Sequence, residues 1–123
     1  MKPNMTLKVM SLLNLLLLMI HMSQDVILQS EGSVQYPIPV AIFAVLLYAS
    51  LMASEKAWGQ IVLLLGGLFG TGMIVVHANG IAVRNGSGLF FVFVLFALST
   101  TGWITIVTSA RELANGIRAR RAS

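Results

Sequence analysis

Apolar residues run along this chain in four long stretches, residues 7–28, 38–53, 60–83 and 89–109, broken by short polar interruptions. Each stretch is near the roughly 20 residues that a helix needs to cross a hydrocarbon core, and none shows the strict alternation of a half-buried strand. The pattern therefore predicts four transmembrane helices. The interruptions carry turn chemistry: Ser30-Glu31-Gly32-Ser33 runs into Tyr36-Pro37-Ile38-Pro39, and Arg84-Asn85-Gly86-Ser87-Gly88 precedes the fourth stretch. Ser54-Glu55-Lys56-Ala57 joins the second and third, with Ser and an acidic residue suited to starting a helix near Trp58. Links this short make successive helices antiparallel. The expected fold is an all-α integral membrane protein, a single domain of four antiparallel helices in a small bundle.

Charge orients that bundle. Of the eight Lys and Arg, Lys2, Lys8, Lys56, Arg111, Arg118, Arg120 and Arg121 collect on one side, and Arg84 alone lies on the other. By the positive-inside rule both termini are cytoplasmic, in a plasma membrane or a bacterial-type inner membrane. Trp58 then sits at the inner interface, and Lys8 extends its ammonium back to the inner headgroups. Residues 110–123 form a basic cytoplasmic tail with four Arg and one Glu. Its role is to hold topology against anionic headgroups, and without interleaved aromatics it is no nucleic-acid module.

Composition agrees: 57% of residues are hydrophobic and 10% charged, too few charges to cover a soluble fold. The absence of Cys excludes disulfides, thiolate metal sites and Cys nucleophiles. A cleaved signal peptide is the rival reading of the first stretch, because Lys2 and Lys8 precede an apolar run over residues 9–20. No small-x-small cleavage site follows promptly, so the stretch is read as a span.

Helical periodicity then says which faces look inward. On the first helix Asn14, Leu18, His21 and Asp25 recur every three or four residues along one stripe, which cannot face lipid cheaply. On the third, Gly66, Gly70, Met73, His77 and Gly80 make another; Gly66, Gly70 and Gly80 are expected to let a neighbouring backbone approach closely. The glycine-rich run lies inside an apolar span rather than a strand-loop-helix setting, so it is not read as a phosphate loop. Asn14 and Tyr48 are expected to pair as an interhelical hydrogen bond. Phe90, Phe91, Phe93 and Phe96 divide between lipid and core, Trp103 is expected to pack, and the Ser and Thr residues from Ser99 to Ser109 to bond back to their own helix.

At about 1.5 Å rise per residue, His21 and His77 come to one layer about 5–10 Å beneath the outer hydrocarbon edge, with Asp25 one turn further out. His21 to Gly32 and His77 to Gly88 share a spacing of 11 residues, a faint echo of a duplicated hairpin. His21, Asp25 and His77 are the one candidate cluster. Its bland reading is a hydrogen-bonded clasp between the first and third helices. Its functional readings are a bis-histidine haem b, a divalent transition-metal site with both imidazoles and the Asp25 carboxylate, or a proton relay. A proton-coupled carrier normally also needs an ionisable group deeper in the bundle, and the inner half holds only Asn14, Tyr48 and hydroxyls. No catalytic residue is assigned, and the expectation leans away from an enzyme. The expected function is an accessory or binding subunit in the bilayer, partnered by lipid and by other membrane proteins or further copies of itself, and not by nucleic acid. The alternatives are a haem- or metal-binding redox protein and a small proton-coupled carrier.

Overall fold

A computed structural model of the chain describes residues 3–28, 37–76 and 88–123. These form four helices and, among the described residues, no strand: α1 (Pro3–Leu28), α2 (Pro37–Met52), α3 (Ala57–Val76) and α4 (Gly88–Ala122). Two start on proline, whose fixed φ and missing N–H suit a first turn; α2 carries a second, Pro39, in that turn. Helices α1, α3 and α4 are long and apolar enough to cross a membrane. Helix α2, with 16 residues, is about 24 Å long and shorter than a hydrocarbon core of about 30 Å.

The fourth element is longer than its apolar stretch. Helix α4 continues without a break through the basic segment to Ala122, 35 residues in all, about 52 Å. Ala, Leu, Glu and Arg in this segment are good helix formers, Leu113 and Ile117 recur four apart, and Arg120 and Arg121 complement the negative end of the helix dipole. Ser123 Oγ donates to Arg120 O at 3.0 Å. The basic tail is thus a rigid extension of the last span.

Helix α4 packs chiefly on α3 and α1, while α2 lies at the edge against α1 and α3. The turn between α2 and α3 is tight: Lys56 N–H donates to Ala53 O at 2.9 Å, and Gln60 Nε2 reaches back to Ser54 O at 3.1 Å. Gly59 fits here because a Cβ would strike the Ala53 backbone. One apolar cluster joins Leu15 and Leu18 of α1 to Leu46 of α2 and Leu98 of α4; a second joins Leu7, Ala49 and Leu63. Since lipid tails are as apolar as leucine, these contacts stabilise by shape and dispersion rather than by escape from water. The outer surface follows the same logic, with Phe90, Phe93 and Phe96 exposed along α4. Trp103, expected to pack, is exposed with them.

Candidate functional site

The inward stripe of α1 is Leu7, Ser11, Asn14, Leu18 and His21, at intervals of four, three, four and three, and every one of them is buried. Helical period alone places them on one line. Asn14 sits at the junction of three helices. Its Nδ2 donates to Gly66 O of α3 at 3.3 Å, and its Oδ1 accepts from Thr101 Oγ1 of α4 at 3.3 Å. The Thr101 hydroxyl is also within reach of Ala97 O and Leu98 O on its own helix, at 3.0 and 3.1 Å, so its one proton is shared among three acceptors. Interhelical bonds of this kind contribute about 0.6 kcal/mol each on average.

The partner expected for Asn14 was Tyr48, and this is corrected. Tyr48 is 55% exposed, and its ring stacks on Trp58 with centroids 6.1 Å apart and planes 19° from parallel. A phenol on the outer face of α2 cannot reach a carboxamide on the inner stripe of α1, so Gly66 and Thr101 take its place.

The glycines divide the work differently from the expectation. Gly66 and Gly70 face side chains: a Cβ on Gly66 would lie 2.6 Å from Leu46 Cδ2, and one on Gly70 would land on the Asn14 carboxamide. Close backbone approach is made instead by Gly67 and Gly102. A Cβ on Gly67 would lie 2.8 Å from Gly102 O, and one on Gly102 would lie 2.7 Å from Gly67 O and 2.9 Å from Thr71 N. Thr71 Oγ1 donates to Ser99 O across the same seam, at 3.4 Å. Sequence reasoning missed this pair because Gly102 stands alone among larger residues. The available signal was small residues on both partners, Gly67 and Thr71 against Ser99 and Gly102, each set one turn long.

A second buried polar stripe runs along α4. Thr101, Thr105, Thr108 and Ser109 lie on the inner face of α4, with Ser11 of α1, Ser50 and Ser54 near α2, and Gln60 of α3 buried as well. Thr100, Thr105 and Thr108 donate to carbonyls one turn back, as expected, as do Ser50 and Ser11 to Leu46 O and Lys8 O. Ser109 is fully buried, and its Oγ has no hydrogen-bond partner among the described residues. The half of the bundle nearer the α2–α3 turn is therefore hydroxyl-rich, whereas Val94, Leu95 and Leu98 make the α4 face apolar nearer its start.

Of the histidine cluster, His21 is fully buried in the bundle interior. The backbone of Asp25 continues α1, while its side chain, His77 and Gly80 lie outside the described residues. Among the described residues no three His, Asp or Glu side chains gather as a metal-binding group. Between α2 and α3 an apolar groove of about 450 Å³ opens to the surroundings, walled by Ala41, Val45, Leu65 and Phe69 and floored by Leu46 and Gly66. Comparison of the chain with protein-family models, curated proteins and solved structures finds no match.

Proposed function

We propose that this chain is a multi-pass accessory subunit of the bilayer, with four antiparallel spans and both termini cytoplasmic. One observation carries the reading: most polar side chains of the described spans, among them Ser11, Asn14, Ser50, Thr101, Thr105 and Thr108, are buried and bind helix to helix or helix to itself, and the exposed positions are mainly large apolar residues. What such a surface can engage lies in the membrane. Antiparallel order is supported by the α3–α4 seam, where rising numbers on one helix, Gly67 then Thr71, meet falling numbers on the other, Ile106 then Gly102 and Ser99. Helix α2 crosses by local thinning of the bilayer around its shorter length. Orientation rests on the seven-to-one division of cations. A chain without Cys suits the test: in sealed cells, Ser123→Cys should react with a membrane-impermeant maleimide only after the cytoplasm is opened. Labelling of intact cells would overturn the orientation.

A second reading, haem b or a transition metal held by His21 with His77 and Asp25, is favoured by the full burial of His21, an imidazole kept out of both lipid and water. One preparation tests both. Gentle-detergent isolation from its own membrane should give an assembly that contains other membrane chains in fixed ratio and is heavier than the 13.3 kDa chain. Recovery as a lone chain without haem or metal would remove the accessory reading and the second with it. A Soret band, or near-stoichiometric Zn, Cu or Fe, lost in His21→Ala, would establish the second.

A further inference from the structure

The end of the bundle where α2 turns into α3 holds a small recess that neither the polar junction nor the histidine cluster uses. It has a volume of about 80 Å³ and lies between the turn and the extension of α4, lined by Glu55, Gln60, Leu113, Ile117 and Arg120. We propose that it binds the headgroup of a zwitterionic phospholipid with a primary ammonium, the phosphate diester against Arg120 and the ammonium against Glu55.

Four observations converge on that ligand. An acid and a base, both exposed, share one recess, yet no ion pair joins them among the described residues. A ligand bearing both charges a few bonds apart satisfies each, where an anion would meet the Glu55 carboxylate. The recess also lies at headgroup level. The apolar window of α3 begins at Ala57, which lines it, and the next residue, Trp58, is exposed and stacks on Tyr48 as an aromatic pair of the kind found at membrane interfaces. The third observation is the start of α3: the amides of Ala57, Trp58 and Gly59 precede the first helical bond, from Gln60 N–H to Lys56 O, so their positive end favours a phosphate nearby. Finally, Leu113 and Ile117 give the wall on α4 an apolar flank for the glycerol and first methylenes. The small volume suits a primary ammonium over a trimethylammonium, and only the former can donate hydrogen bonds to Glu55. The site depends on the rigid extension of α4, because a disordered tail would not hold Arg120 over the turn. It stands whichever side of the membrane the recess faces.

The test is lipid retention by the full chain. Protein equilibrated in nanodiscs of equal phosphatidylethanolamine, phosphatidylcholine and phosphatidylglycerol is moved to gentle detergent, and bound lipid is counted by native mass spectrometry. Phosphatidylethanolamine should be retained roughly three- to tenfold over the other two, the effect of one or two exposed charge contacts. Glu55→Gln should abolish the preference over phosphatidylcholine, and Arg120→Gln should lower retention of all three lipids, both with unchanged helical circular dichroism. Equal retention by the wild type, preference for phosphatidylglycerol, or an undiminished preference in Glu55→Gln would overturn the proposal. Equally tight binding of water-soluble glycerophosphoethanolamine would overturn the lipid assignment in favour of a soluble ligand.

Discussion

Gly102→Ala should lower the stability of the bundle by about 1–3 kcal/mol, and Gly102→Leu by more. The added Cβ meets Gly67 O at 2.7 Å and Thr71 N at 2.9 Å, which are backbone atoms of α3 and cannot swing aside as a side-chain end would. Relief comes only from moving α3 and α4 apart. That loosens the seam along its length, including the bond from Thr71 to Ser99. Because helix association in lipid is driven by close packing, widening this seam removes contacts that water exclusion does not replace. The control is Gly72→Ala, where a Cβ would meet nothing within 4 Å and the helix gains propensity. Dodecyl sulfate titration in micelles, followed by circular dichroism, reads both. Gly102→Ala and Gly72→Ala with indistinguishable midpoints would show that the seam is not close-packed.

The second large effect is expected at Asn14. Asn14→Asp places a carboxylate near the middle of a span, where a charged acid costs about 2.5–3.5 kcal/mol. It also turns an oxygen toward Gly66 O, where Nδ2 now donates. Asn14→Leu carries no charge but loses both interhelical bonds and sets a branched side chain against Gly70, whose missing Cβ makes room for the carboxamide. The same titration should rank the variants wild type, then Leu, then Asp at neutral pH. Thr101→Val should cost much less, because Thr101 already shares its proton with its own helix. If Asn14→Asp proves as stable as wild type, Asn14 reaches water rather than a dry junction of three helices.

How much of the site was readable in advance depended on which force set each position. The stripe of Asn14, Leu18 and His21 follows from helical period and the cost of a polar group in lipid, both local and chemical, and all three are buried together. The choice of partner is not local. Asn14 has a fixed height and direction on α1, but whether it meets Tyr48, Gly66 or Thr101 depends on the rotation of α2, α3 and α4 about their own axes. Tyr48 illustrates the limit: on an apolar helix with little asymmetry around its circumference, nothing in the residues says which side is out. The hydroxyls of α4 were readable as inward-facing by their spacing, Thr101, Thr105, Thr108, yet each is equally content with a carbonyl of its own helix.

The sequence by itself determined the helical character of the chain, its apolar spans long enough to cross a membrane and the inward stripe of α1, because hydropathy and the 3.6-residue period act within one helix. Tertiary structure decided that Gly67 and Gly102, rather than Gly66 and Gly70, carry the close backbone approach. It decided too that Tyr48 stacks on Trp58 and that the basic segment is a rigid arm bringing Arg120 and Glu55 to one recess. Those outcomes depend on how helices rotate and slide against one another. Packing fixes that rotation through shape, and shape is a property of pairs of surfaces that no single stretch of sequence contains.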